Sequence, residues 1–291
     1  MLNISFFSYK GGSGRTSLLY NTLPFIAEEL GASNREPIVV LDLDIDSKGL
    51  SYLINEKSEY NAIDVLKKQI PHNITEDIGN HPFFSKLASI GADIGLPKEN
   101  DNAVLFVSAH PTKSDNKYLN NSDNFDGSQI ELKMLTRLCS DMNCKAIIMD
   151  APAGGQVSGR AAMNVSDKIV TVMRITKQFR DGTYEFLKEK CDEYSGKNFI
   201  IVPNAVPDDA GTKYSVEKMI NEIDARANQS IHNGNYINTA MLYNDGSFGV
   251  NEVRSFKFEE NILYKSKIES LTPDERSALV SYRKLGKEIV S

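Results

Sequence analysis

The run Tyr9-Lys10-Gly11-Gly12-Ser13-Gly14-Arg15-Thr16-Ser17 places three glycines, two cations and three aliphatic hydroxyls within nine residues. Glycines let a backbone fold closely round an anion, and a helix starting directly after them aims its first N–H groups at the same point. This is the chemistry of phosphate binding. The usual phosphate loop reads G-x-x-x-x-G-K-[ST], with the lysine on the outer phosphate oxygens and the hydroxyl on Mg²⁺. Here Tyr9 stands at the first glycine and Arg15 at the lysine. Arginine keeps a permanent charge but spreads it over a planar fork, where lysine offers a compact ammonium. Phosphate binding is therefore retained while the fit changes, and a misplacement of about 1 Å can cost on the order of a hundredfold in rate.

Hydrolysis of a phosphoanhydride also needs a held metal and a positioned water, both of which call for acids. Asp42, Asp44 and Asp46 end one apolar run, and Asp150 ends another, followed by Ala151-Pro152-Ala153-Gly154-Gly155. A calcium loop of the D-x-D-x-D-G type is excluded, because Ser47 takes the glycine position and Leu53 that of the closing glutamate.

These residues need strands that end together. Short, nearly continuous apolar runs at 2–8, 38–43, 103–109, 145–150, 168–173 and 198–203 have the composition of strands covered on both faces. Amphipathic stretches at 15–30, 61–70, 129–142, 180–194, 216–227 and 273–289 alternate with them. Strand alternating with helix predicts an α/β fold, a doubly wound and mainly parallel sheet flanked by helices. Residues 113–128, rich in Asn, Asp and Ser, read as a surface loop within a single domain spanning 1–291. Pro24 predicts a kink in the helix after the loop.

Taken together, Lys10-Gly11-Gly12-Ser13-Gly14-Arg15-Thr16 resembles the deviant Walker A loop, K-G-G-x-G-K-[ST], of the MinD/ParA family of P-loop ATPases, with Arg15 the one departure. The resemblance implies that Lys10 reaches across a nucleotide-sandwich homodimer to the partner's phosphates. It implies that Gly11, Gly12, Ser13, Gly14, Arg15, Thr16 and Ser17 hold ATP. Asp42 and Asp44 match the family's D-x-D segment, which gives Asp42 a place in the Mg²⁺ shell, beside Thr16, and Asp44 the orientation of the attacking water. Asp150 matches the Walker B segment and would hold Mg²⁺. Asn204, after the strand at 198–203, sits where the family reads adenine with an amide. The strand at 170–173 leading to Arg180-Asp181 is a weaker likeness, with Gln178-Phe179 departing from the pattern.

The resemblance makes the protein an ATPase switch that dimerises around nucleotide to position or regulate a partner assembly, its hydrolysis slowed by Arg15. A non-hydrolysing adaptor that recruits a protein partner is the alternative. Family outputs include DNA, membrane and protein complexes. A formal charge of -6 does not favour DNA, and Arg254-Ser255-Phe256-Lys257-Phe258 with Lys265 and Lys267 is diluted by Glu259, Glu260 and Glu269. Leu279, Tyr282, Leu285 and Ile289 recur at core-facing spacing, so the last helix reads as docked and no membrane anchor is evident. Without a signal peptide or an apolar span, a cytoplasmic location is expected. Cys139, Cys144 and Cys191 make no metal or disulfide pattern and read as inert thiols.

Overall fold

The computed structural model describes residues 1–54, 61–62, 85–87, 103–109, 125–190, 193–194, 197–204, 218, 238–241 and 273–291. Each of the six apolar runs forms a strand: β1 (Leu2–Phe7), β2 (Ile38–Asp42), β4 (Val104–Val107), β5 (Ala146–Asp150), β6 (Lys168–Arg174) and β7 (Asn198–Asn204). Two short strands that the composition does not announce, β3 (Ser85–Leu87) and β8 (Asn238–Met241), complete one sheet in the order β3-β4-β2-β5-β1-β6-β7-β8. All neighbours run parallel except β3, which pairs antiparallel with β4.

Successive side chains of a strand point to opposite faces, so each apolar run feeds two cores. Ile38 and Val40 face one side with Ile4, Phe6, Ile148 and Val170, where they meet Leu19, Leu23 and Ile26 of α1 (Arg15–Glu29). Val39 and Leu41 face the other with Ile147 and Met149, against Leu132, Leu135 and Cys139 of α3 (Phe125–Asp141) and Ala161 and Ala162 of α4 (Val157–Val165). A third cluster packs Phe7, Ile169 and Phe199 under Phe186 and Leu187 of α5 (Lys177–Lys190), with Phe7 and Phe186 stacked at 4.7 Å. A short α2 (Gly49–Ile54) lies after β2.

The terminal helix α6 (Pro273–Val290) docks as its periodicity predicts. Tyr282, Leu285 and Ile289 join the α1 core, and Arg283 pairs with Glu28 at 2.9 Å while lying over the Phe25 ring. Gly286 makes that approach possible, since a Cβ there would stand 2.9 Å from the Cβ of Phe25. Pro24 lies inside α1 as expected.

Helix ends follow local chemistry. Gly31, at φ 60°, closes α1: its N–H donates to Glu28 O and that of Ala32 to Ala27 O, which satisfies carbonyls left open by the last turn. Asn143, also at φ 60°, does the same for α3, where Cys144 N–H donates to Cys139 O. That closure brings both buried cysteines into one apolar cluster. The polar stretch expected as a loop to residue 128 is helical from Phe125, so α3 begins four residues before its apolar periodicity does. The rest of that stretch, the expected helices at 61–70 and 216–227 apart from residues 61–62 and 218, the basic segment at 254–267 and Cys191 lie outside the described residues. Among the described residues no helix is long and apolar enough to cross a membrane.

Candidate phosphate-binding site

Register brings the site together. β5 pairs with both β1 and β2, setting Phe6 and Asp42 opposite Asp150, so the loop after β1 and the acids ending β2 and β5 meet at one edge of the sheet. That edge, beyond the carboxyl ends of parallel strands, is where open α/β sheets bind ligands. Gly12 and Gly14 both adopt φ 82°, a left-handed conformation that glycine takes without penalty. Gly14 caps α1 with no side-chain hydrogen bond, which leaves first-turn N–H groups for an anion. Among the described residues nothing lies within 4 Å of where a Cβ on Gly11 or Gly12 would stand.

The loop is braced from the far side. Asn204 Nδ2 donates to the Ser13 carbonyl at 2.8 Å, and Arg174 Nε donates to the Gly12 carbonyl at 2.6 Å. Sequence reasoning passed over Arg174, although a cation ending the apolar strand β6 was a readable signal. Asn204 is buried, and among the described residues its Oδ1 has no partner. An unpaired buried acceptor costs about 1–3 kcal/mol, and an amino donor on a bound base would satisfy it.

Arg15 turns away from the loop and into the acids. Its side chain is only 6% exposed; Nε donates to Asp150 Oδ1 at 2.6 Å and Nη2 to Asp44 Oδ2 at 2.7 Å, with Nη1 3.5 Å from Ser8 Oγ. Thr16 Oγ1 donates to the other Asp150 oxygen at 2.8 Å. Burial opposes the charge on Arg15, but Asp150 and Asp44 outweigh it and raise its pKa. The two acids respond in opposite senses. Burial works against the ionised form of Asp44, yet Arg15 and the Ser47 hydrogen bonds prevail and hold it below the usual carboxylate range. Asp150, wholly enclosed, is pushed up by burial despite Arg15 and Thr16.

Asp42 bonds to different groups from Asp150, its neighbour in register. Its Oδ2 accepts from Ser51 N–H at 2.8 Å and Ser51 Oγ at 2.7 Å, and its Oδ1 accepts from Asp44 N–H at 3.2 Å. These oxygens brace the turn that carries Asp44 and the start of α2; they do not join Thr16 and Asp150. Nothing in the spacing marked Ser51. Burial first, then the like charge of Asp150, pushes the Asp42 carboxyl up to about 7.

Of the remaining predicted residues, Ser13 is buried and its Oγ accepts from Arg15 N–H, Ser17 lies on the first turn of α1, and Lys10 is exposed. Asp46 stands apart, 3.5 Å from Gln156. Gly154, at φ 75°, donates to Ser8 O and folds the segment after Asp150 against the loop. Tyr9 packs on α5 at Gly182, where a Cβ would lie 2.1 Å from the ring.

The oxygen donors for a metal are Thr16 and Asp150, which share a hydrogen bond, with Asp42 opposite Asp150 in register and Asp44 on the far side of the Arg15 fork. Among the described residues no group of three or more His, Cys, Asp or Glu side chains gathers to hold an ion. That chemistry fits Mg²⁺, which takes one or two carboxylates and completes its shell with phosphates and water.

No family model matches the chain, and no curated protein matches its sequence. Its fold matches solved structures over nearly its whole length. The MinC:MinD cell division protein complex of Aquifex aeolicus aligns at TM-score 0.61 and 15% identity, over 98% of this chain and 95% of that one. Cyanothece apo McdA aligns at 0.62 and 12%, over 98% of each chain. MinD from Pyrococcus horikoshii, complexed with Mg-ADP, aligns at 0.59 and 14%, over 99% and 96%. The chain thus has the P-loop NTPase fold of the MinD and ParA type.

Proposed function

We propose that this chain is a single-domain, ATP-binding ATPase switch that dimerises around nucleotide to position or regulate a partner assembly. The observation that carries the reading is the convergence of Arg15, Thr16, Asp44 and Asp150 at the mouth of a strand–glycine loop–helix unit. ATP would lie along 11–17 with its phosphates on the α1 N-terminus and its base toward Asn204 Oδ1, which has no partner among the described residues. Thr16 and Asp150 would hold Mg²⁺, which would neutralise charge developing on the phosphates. Asp44, kept ionised by Arg15, has the charge needed to orient a water. Lys10, exposed at the loop, would reach a second copy's phosphates. MinD's complex with MinC supports a protein as the partner.

Turnover is slow in this reading, because Arg15 must leave two carboxylates before they can act. The same ion pairs favour a second reading, a non-hydrolysing adaptor in which Asp44 stays tied to Arg15 and ATP only stabilises a dimer. Size-exclusion chromatography without nucleotide, with ADP and with ATP separates the two when repeated for Asp44→Ala. A switch returns to monomer as ATP is consumed unless Asp44 is removed. An adaptor stays dimeric in ATP either way, and a chain monomeric under every condition overturns both.

A further inference from the structure

We infer that Arg15 is the specificity-determining residue of the Asp44–Asp150 pair, a resident counter-cation that admits a divalent ion only together with a polyphosphate that draws the guanidinium away. The inference rests on the phosphate-binding reading above and adds what selects the ligand.

The two acids come from different elements, Asp150 from the end of β5 and Asp44 from the turn after β2, and both are buried against the same guanidinium. Two carboxylates there repel each other unless a cation lies between them. Arg15 is that cation. Its planar fork spans both acids, Nε on one and Nη2 on the other, with Nη1 toward Ser8 at the end of β1. A divalent ion arriving alone would meet a permanent positive charge already seated on the oxygens it needs, in surroundings too dry to screen the repulsion. Little solvent reaches the pair to relieve this, and the guanidinium cannot deprotonate.

A polyphosphate changes the balance. Bound at the glycines and the first turn of α1, it offers Arg15 a second anionic partner from the residue's own loop. Once the guanidinium turns to it, Asp44 and Asp150 are bare and require a new cation. Metal and polyphosphate then favour each other's binding, and the coupling is reciprocal. A phosphate loop with the usual lysine directs its one charge to the phosphates; here the same position bridges the acids, so the site discriminates against the free ion.

Mn²⁺ as a paramagnetic probe tests this in the full-length chain without nucleotide. Arg15→Gln should bind Mn²⁺ about tenfold or more tightly than the wild type, and equal affinities within about twofold overturn the inference. Folding of Arg15→Gln is checked by its thermal transition. A second variant does not depend on it. Asp44→Asn loosens Arg15 from one partner, so ATP measured in EDTA should bind it about threefold or more tightly, whereas Asp46→Asn, an acid Arg15 does not touch, should leave that affinity unchanged. Equal tightening in both variants points to general charge and overturns the inference. If wild type, Asp44→Asn and Asp46→Asn all fail to bind ATP, the proposed function fails, and the nucleotide-free Mn²⁺ comparison still decides the role of Arg15.

Discussion

Arg174 and Asn204 stand opposite each other in the β6–β7 register, and their side chains donate to successive carbonyls of the glycine loop, Gly12 and Ser13. One strand pair thus fixes two consecutive peptide planes. With the carbonyls tied back, the loop conformation is set before any ligand arrives, and that preorganisation reduces the cost of binding.

Replacing Asn204 by Ala should cost about 1 kcal/mol of stability in urea denaturation and weaken nucleotide binding. Because both braces hold one loop, Arg174→Gln combined with Asn204→Ala should depart from additivity by about 0.5 kcal/mol or more. Strict additivity would mean that the two carbonyls are held independently.

Gly182→Ala puts a methyl where the Tyr9 ring now lies, 2.1 Å from its nearest carbon. The ring must swing out, and Lys10 is the next residue. ATP-dependent dimerisation should fall while the thermal transition moves little, since alanine also favours the helix by about 1 kcal/mol. The double variant Tyr9→Ala, Gly182→Ala removes the clash and should recover part of the dimer, measured by light scattering. No recovery would sever the link between this contact and Lys10.

Asp42 gives stability a pH dependence of definite sign. Its folded pKa is raised from 3.8 to about 7, so folding takes up a proton at this group between those values. The contribution is complete below the unfolded pKa and is lost as pH rises through about 7. Between pH 5 and pH 8 the wild type should therefore lose more stability than Asp42→Asn, whatever the absolute cost of losing one acceptor for Ser51. Parallel urea series at the two pH values check this. A steeper slope in the variant would contradict it.

Arg15→Lys restores a compact ammonium in place of the fork. Single-turnover ATP hydrolysis should accelerate by about tenfold or more, because a lysine tip leaves the acids with fewer bonds to break. A rate equal to that of the wild type would show that Arg15 does not slow the chemistry.

The central sheet was legible because a strand covered on both faces must be apolar at nearly every position, and 38–42 and 146–150 are. β3 and β8 were not, since three- and four-residue edge strands carry too little composition to stand out. The loop and its acids could be read as a set. Their pairing could not: Arg15 reaches Asp150 across 135 positions, and only the β1–β5 register makes them neighbours. Ser51 escaped notice for a similar reason, because a serine nine residues after an aspartate has no meaning until α2 folds back over β2.

Strand order gives the loop two unlike flanks. β1 lies between β5, whose side of the sheet carries Asp42, Asp44 and Asp150, and β6, whose side carries Arg174 and, one strand further, Asn204. An ion symmetric about its centre has no preferred way to lie between such flanks. A lopsided ligand, anionic at one end and an amine-bearing ring at the other, has a single heading, and every copy of the chain would seat it the same way round.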